Sequence, residues 1–362
     1  MTETPDSFAA RPDRSAPAPA GADLLSDLLR AVRLTSSVFF RGRFSAPFGV
    51  ISPKRFDARA PMAHLRHISV FHLFATGGCH LQTATGARHQ VTAGDLVLMP
   101  FAAEHKFWEG DVREFGFAPE LVHEGPVEGI WTVNYGGGGA ETQLVCGFIE
   151  SSEFLFAPLF RSLPEVVIER TNNDKVGSMI ASTVHEMLPL IETATPGMQM
   201  MLSRMMELLF VEVLRRHAAR LPAGSTGLLA ALNDPIVGRA LQLVHASPAR
   251  RWTAEDLARE AGSSRTVLTE RFNELLGRPP IDYVTGWRIQ VAADRLRNGK
   301  DGISEIAANV GYESEAAFNR AFKRVTGMTP GRWRDGGGDS PPHMPLQFNM
   351  PLVPNQAVDR LQ

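Results

Sequence analysis

WTAEDLAREAGSSRTVLTERFNELLGRPPIDYVTGWRIQVAADRLRNGKDGISEIAANVGYESEAAFNRAFKRVTGMTPGRWR, residues 252–334, contains one pattern twice. Ala258, Gly262, Ser264, Leu268, Phe272, Gly277 and Pro280 return as Ala307, Gly311, Ser314, Phe318, Phe322, Gly327 and Pro330, with one extra residue in the second turn after Gly311. Each copy has a physical reading. A short amphipathic helix ends at Leu257-Ala258 or Ile306-Ala307, where the small Ala lets another helix cross closely. Gly262 and Gly311 stand where that helix should stop, and glycine tolerates the left-handed backbone of a helix end. Ser264 and Ser314 suit the start of the next helix, because a short hydroxyl accepts from an orphan backbone N–H. From there Leu268 and Phe272, or Phe318 and Phe322, recur four residues apart on one helical face. Helix, tight turn, helix is a helix-turn-helix unit, whose second helix can enter a DNA major groove.

Between the copies, Pro280 to Leu296 reads as one longer helix. Ile281, Val284, Trp287 and Val291 form a strip that Ile289, Ala292, Ala293 and Leu296 widen, so the helix is expected to contact both neighbours. Two units braced by one shared helix place two reading helices on one face of DNA, about 34 Å apart. Over this region the chain resembles the DNA-binding domain of the AraC/XylS family of transcriptional regulators. GYESEAAFNRAFKRVTGMTPGRWR, residues 311–334, is similar to that family's signature over its whole length, and LNDPIVGRALQLVHASPARRWTAEDLAREAGSSR, residues 232–265, extends the likeness.

The resemblance implies base-reading residues. The first reading helix presents Thr266, Thr269 and Glu270, and the second presents Glu315, Ala316, Asn319 and Arg320. Arginine bonds guanine at two places, asparagine suits adenine, and a carboxylate accepts from cytosine. Phosphate repels Glu270 and Glu315, and an ordinary solvated helix face is the plain alternative for any one of these positions. Arg265, Arg271, Arg288, Lys323 and Arg324, on or beside the reading helices, are candidate phosphate contacts.

Charge distribution agrees with a reader joined to a second part. Residues 235–334 hold 16 Lys/Arg against 11 Asp/Glu, a net +5; with −2 for the whole chain, the remainder carries −7. That balance disfavours a nonspecific DNA coat. At 362 residues, two domains with linkers are expected. Cys79 and Cys146 are the only cysteines, too few for a disulfide scaffold. The opening MTETPDSFAARPDRSAPAPAGAD has neither the basic start nor the apolar run of a signal peptide. No stretch approaches the ~20 apolar residues of a membrane span. These features predict a cytoplasmic protein with no membrane partner.

From Ser37 to about Ser151 the pattern turns to strands, with His67–Phe74, Cys79–Thr83 and Leu96–Met99 as short runs divided by Gly and polar turns. GDLVLMPFAAEH, residues 94–105, resembles the second cupin motif in Gly94, Pro100 and His105, with Ala102 where a Gly is usual. YGGGGAETQLVCGF, residues 135–148, is similar to the sensor domain of AraC-type regulators that carry a cupin-like barrel. The run Gly136–Gly139 reads as a flexible turn, since a phosphate loop needs Lys-Ser/Thr and a following helix. Residues 174–218 become helical, with Val176, Met179, Ile180, Val184, Met187 and Leu188, then Met201, Leu202, Met205, Leu208 and Leu209, at helical spacing around a break at Thr195-Pro196-Gly197. Met198, Met200, Met201, Met205 and Met206 read as apolar packing before a soft-metal site. In related regulators such helices support dimerisation, which implies a homodimer.

The expected fold class is α+β in two domains: an N-terminal cupin-like β-barrel with following helices, and a C-terminal all-α double helix-turn-helix. The expected divisions are a disordered start at 1–22, a sensing domain at 23–173 that opens with a short helix over Leu24–Leu34, and a helical segment at 174–218. A linker at 219–232, a DNA-binding domain at 233–334 and a disordered tail at 335–362 follow.

In the barrel, alternation puts Ile68, Val70, His72 and Phe74 on one inward face and Leu144, Cys146 and Phe148 on another. The cupin resemblance brings His105 near the same cavity. His72, His105 and Cys146 are thus the candidate effector residues, with core packing or a zinc site as alternatives. Many cupins are metal-dependent oxygenases or isomerases whose first motif has two His one residue apart, then Glu. Here His64 and His67 are separated by two residues, and His72 and His80 are isolated. No nucleophile motif, Walker loop or dinucleotide fingerprint occurs. No catalytic residue, cofactor or resident metal is therefore expected. The expected partners are double-stranded promoter DNA, a small-molecule effector and RNA polymerase. The choice between activator and repressor stays open, with activator favoured by the resemblance.

Overall fold

The computed structural model describes residues 24–26, 34–53, 68–127, 129–151, 163–170, 175–193 and 195–335. Residues 1–22, His64, His67 and all of the expected tail but Asp335 lie outside them. Of the short helix expected over Leu24–Leu34, residues 24–26 are helical and 27–33 lie outside the described residues.

The N-terminal half forms two sheets. The strands are β1 (Leu34–Ser45), β2 (Phe48–Ser52), β3 (Ile68–Thr76), β4 (Gly78–Gln82), β5 (Arg88–Thr92) and β6 (Leu96–Met99). Then come β7 (His105–Glu109), β8 (Gly116–Phe117), the short helix α1 (Ala118–Leu121), β9 (His123–Glu124), β10 (Trp131–Gly136), β11 (Glu141–Ser151) and β12 (Val167–Glu169). One sheet runs β12-β6-β3-β11-β1-β10-β9 and the other β5-β4-β7-β2-β8. Between them lies a core built from Phe74, Leu81, Val91, Phe107 and Leu144 with Ile68 and Val70.

Strand β3 is buried on both faces, as a strand covered by a helical layer must be. Ile68, Val70 and Phe74 point into the barrel, and Phe71 and Leu73 point out against helices. In β1, Val38 belongs to the outer layer but Phe40 and Phe44, of the same parity, to the inner one. A register shift between Val38 and Phe40 inverts the facing, as a bulge does. The run Gly136–Gly139 is a bonded turn: Gly137 and Gly139 donate to the carbonyls of Ser45 and Ala46, and Gly138 to Ser45 Oγ.

Helices α2 (Lys175–Glu192) and α3 (Met198–Ala219) cover the outer face of the larger sheet through Ile180, Val184, Met187, Leu202, Met206, Leu209, Phe210 and Val213. They share that sheet's core instead of forming a separate segment. Part of the expected apolar strip faces outward, since Met179 is 38%, Met201 52% and Leu208 47% exposed. The buried strip is rotated to Leu202, Met206, Leu209 and Val213. Buried Glu169 in β12 accepts from Arg216 Nε at 2.8 Å and Arg220 Nη1 at 2.6 Å, pinning the end of α3 to the barrel.

The expected linker over 219–232 needs correction. It contains α4 (Leu228–Asn233), whose Leu228, Leu229 and Ala231 are buried because LLAALN is apolar enough to dock. The connection between helices is therefore 220–227. The remaining helices are α5 (Pro235–Ala246), α6 (Ala254–Glu260), α7 (Arg265–Leu276), α8 (Pro280–Asn298), α9 (Ile303–Asn309), α10 (Glu315–Thr326) and α11 (Pro330–Arg334). Ser264 and Ser314 accept from Val267 N and Ala317 N at the starts of α7 and α10. The two preceding turns match, with Ser263 N donating to Ala258 O and Tyr312 N to Ala307 O, each at 2.9 Å. Helix α8 feeds two cores, with Tyr283 and Val284 in one and Ile289, Ala292, Ala293 and Leu296 in the other.

The two turn glycines differ in surroundings. Gly262 has φ +73° and open space where a Cβ would stand; Gly311 has φ +87° and would place a Cβ 2.4 Å from Ala249 O. Gly262→Ala is expected to cost about 1 kcal/mol of left-handed strain. Gly311→Ala must also displace backbone and is expected to cost about 2–4 kcal/mol. Urea unfolding of the two variants measures the difference, and equal losses would mean that the contact at Ala249 yields freely.

Candidate nucleic-acid interface and barrel site

The serine caps and the left-handed turns aim α7 and α10 so that one side of each packs inward. Leu268, Phe272 and Leu275 fix α7; Phe318, Ala321, Phe322 and Thr326 fix α10. On the opposite sides Thr266, Glu270, Glu315, Ala316 and Arg320 are exposed. Thr269 is half-buried and its hydroxyl donates to Arg265 O at 2.8 Å, so its methyl and the accepting side of its oxygen are left to a ligand. Asn319 is also half-buried, and its Oδ1 has no hydrogen-bond partner. Sequence reasoning passed over Val267, which is 41% exposed in the first turn of α7. The available signal was an apolar residue just off the buried strip of Leu268 and Phe272.

Among the candidate phosphate contacts, Lys323 and Arg324 are exposed. Arg265 pairs with Glu255 at 2.7 Å, and Arg271 lies 3.6 Å from Asp234 and 3.5 Å from Glu274. The pairs with Glu255 and Glu274 are exposed, worth at most about 1 kcal/mol, and open readily to a phosphate. Arg288 is a correction. Its guanidinium donates to Pro248 O at 2.8 Å, Arg250 O at 2.7 Å and Gly311 O at 3.4 Å. Those carbonyls, with Tyr312 beneath the guanidinium at 5.8 Å, hold it as a strut between the two units.

In the barrel, the three residues singled out from separate strands meet. His72 of β3 and Cys146 of β11 are cross-strand partners, with Nδ1 and Sγ 2.9 Å apart. His105, at the start of β7 in the other sheet, brings its ring centroid to 4.8 Å from that of His72 at an interplanar angle of 64°. Phe107 sets an edge contact against both, at 4.9 and 5.1 Å. Burial lowers the pKa of His72, with a smaller contribution from the neighbouring imidazole of His105. Burial pushes His105 down to about 4, against an opposing hydrogen bond to Ala103 O, and holds Cys146 as the thiol. His72 Nε2 and His105 Nε2 are buried without partners. Ala102, where cupins usually carry Gly, has φ +42°, so the glycine-like conformation persists without the glycine.

Two ligands on a tetrahedral zinc lie roughly 3.5 Å apart, whereas 2.9 Å is a hydrogen-bond separation. Among the described residues no group of three or more His, Cys, Asp or Glu is placed to hold a metal ion.

Comparison with known proteins follows the same division. A cupin family model matches residues 23–219 and a helix-turn-helix domain model matches residues 257–336. A putative AraC-like transcription regulator of Streptomyces lividans is 48% identical over 127 residues, 35% of this chain and 42% of that protein. The transcriptional regulator AlkR of Acinetobacter baylyi is 26% identical over 280 residues, 73% of this chain and 87% of that protein. The chain thus spans less than half of the first curated relatives it matches and most of the more distant ones. Among solved structures, the C-terminal domain of AraT, a response regulator from Geobacillus stearothermophilus, is 32% identical. It covers 28% of this chain and 86% of that one, with a TM-score of 0.28. No helix among the described residues is long and apolar enough to cross a membrane.

The strut and the phosphate candidates separate experimentally. Arg288→Ala strands the carbonyls of Pro248 and Arg250 and is expected to cost about 2–3 kcal/mol of stability while the salt dependence of DNA affinity keeps its slope. Lys323→Ala is expected to leave stability alone and flatten that slope by about 0.9 on every sequence. A stable Arg288→Ala protein with a flattened slope would return Arg288 to the phosphate set.

Proposed function

Because the chain belongs to the AraC-type transcriptional regulators, with a cupin domain ahead of its helix-turn-helix domain, we propose that it is a sequence-specific DNA-binding regulator controlled by a small molecule held in the barrel. The observation that carries the DNA half is the duplicated turn. Two serine-capped helices leave polar and basic side chains outward at matching positions, and one shared helix holds them together. The interface binds double-stranded promoter DNA with Thr266, Thr269, Glu270, Glu315, Ala316, Asn319 and Arg320 toward the bases. Arg265, Arg271, Lys323 and Arg324 then face the phosphates.

The barrel half rests on buried polar groups brought together from three strands, two of them imidazoles with unused nitrogens. The protein works in the cytoplasm, as an activator that contacts RNA polymerase, without catalysing a reaction. A homodimer is part of this reading, with the exposed Met179, Met201 and Leu208 of the helices behind the barrel as its candidate contacts.

Selection of genomic fragments by the purified protein, with and without candidate metabolites, tests the reading directly. On the fragment so obtained, Arg320→Ala is expected to lose about 1–3 kcal/mol and relax one base preference. Equal losses on selected and random DNA would assign Arg320 to phosphate. His72→Gln and His105→Gln are each expected to blunt effector-dependent transcription and leave effector-free DNA affinity unchanged. A wild-type dose response in both variants would move the effector site elsewhere.

A further inference from the structure

The hydrogen-bond inventory of the barrel interior constrains the chemistry of its ligand. Most buried polar side chains there are closed. Thr142 Oγ1 donates to Gly78 O at 2.8 Å, and Asp95 accepts from Thr92 N at 2.9 Å. His72 and His105 are open, each with a buried Nε2 that has no partner. Native interiors rarely leave such atoms unsatisfied, and the cost of doing so is about 1–3 kcal/mol each.

The tautomers follow from the other nitrogens. His105 Nδ1 lies 2.8 Å from Ala103 O, which only accepts, so Nδ1 carries the hydrogen and Nε2 offers a lone pair. His72 Nδ1 lies 2.9 Å from Cys146 Sγ. An imidazole nitrogen is a far better acceptor than a thiol sulfur, so the S–H donates and the ring hydrogen sits on Nε2. The pair therefore presents one donor and one acceptor, on rings whose centroids are 4.8 Å apart. Around them Val70, Phe74, Phe107 and Leu144 are apolar. The one buried cation among the described residues is Arg216, which serves Glu169 outside the barrel.

We propose that the barrel binds an uncharged, largely apolar small molecule through one hydroxyl group, which accepts from His72 Nε2 and donates to His105 Nε2. This rests on the barrel being the effector site and names the class of effector. A hydroxyl supplies both halves of the bond at one atom. A carboxylate has no hydrogen for the lone pair of His105 and finds no cation to offset its desolvation. A hydrocarbon leaves both nitrogens unsatisfied. Neutral imidazoles fit this choice, since burial keeps both rings uncharged near neutral pH.

The test uses the full-length protein with 15N-labelled histidine and matched probes on two frames: benzyl alcohol, toluene and benzoate, then 2-naphthalenemethanol, 2-methylnaphthalene and 2-naphthoate. An alcohol from at least one set is expected to bind about tenfold tighter than its hydrocarbon, the net gain from the hydroxyl's two hydrogen bonds after its desolvation, with its carboxylate weaker still. Its saturable binding is expected to move the His105 Nε2 resonance from the unprotonated toward the protonated range. His105→Phe, which keeps a flat ring, is expected to abolish the preference for alcohol over hydrocarbon. The wild-type spectra carry the test if that variant fails to fold. Carboxylate or hydrocarbon binding as tight as alcohol, or no alcohol moving either imidazole, overturns the proposal. If carboxylates bind best while both glutamine variants still lose their response, the barrel reading stands and the hydroxyl class falls. If no probe of any class binds while the protein still selects DNA, the barrel assignment falls with it.

Discussion

The placement of the two reading helices depends on one close backbone approach. The loop after α5 runs against the turn before α10, with Gly311 so near Ala249 that no Cβ fits between them. Arg288 clasps this junction from the middle of α8, donating to carbonyls on both sides. Such charge-assisted bonds are stronger than neutral ones, and here they satisfy loop carbonyls that have no ladder to join. Because α8 lends its first half to one core and its second half to the other, neither unit can rotate about the helix without opening packed surface. A rigid pair suits a ligand that presents successive major grooves at about 34 Å intervals.

That arrangement was legible wherever backbone chemistry forces a residue type. Gly262, Ser264, Gly311 and Ser314 announce a turn and a cap whatever surrounds them, and both turns and both caps are found at those positions. Exposure and pairing were less legible. Arg288 sits beside the reading helices in sequence and looks like a phosphate ligand, but its role comes from carbonyls 23 and 40 residues away. Val267 does not fit the α7 strip, and only the packed structure reveals it outward. The LLAALN helix was hidden in a linker because a six-residue segment is too short to show periodicity; its docking is a tertiary effect.

The barrel shows the same division. Alternation along β3 correctly separated an inward face from an outward one, since a period of two is a property of the strand itself. It gave no means of seeing the bulge that inverts β1 at Phe40, nor which residue of β11 stands opposite His72. Register is set by long-range pairing, so the contact between His72 and Cys146 and the approach of His105 from the second sheet appear only when both sheets are folded. The cupin resemblance brought His105 into the barrel, where it stands beside His72, and the missing glycine at Ala102 did not change the turn.

For the proposed effector to change DNA binding it must bind two states of the protein unequally, and packed contacts lead from the barrel interior toward α7 and α10. The strand that carries His72 inward carries Phe71 and Leu73 outward on either side of it. Phe71 meets Phe210 of α3 edge to face, with centroids 6.0 Å apart. A shift of β3 toward or away from a bound molecule therefore bears directly on α3. Two turns further along, Arg216 and Arg220 fasten α3 to Glu169 of β12. Breaking such a buried pair leaves a bare charge at a cost of about 3–5 kcal/mol, so α3 and β12 move together or not at all. Beyond Ala219 the connection is short. Asn233 of α4 donates back to Ala218 O at 2.8 Å, and Gly227 N donates to Leu275 O in the last turn of α7 at 2.7 Å. The first reading helix is thus tied to the barrel through two bonded junctions on either side of residues 220–227. The second is joined to it through Arg288 and the shared helix, so packed and hydrogen-bonded structure runs from α3 to both helices.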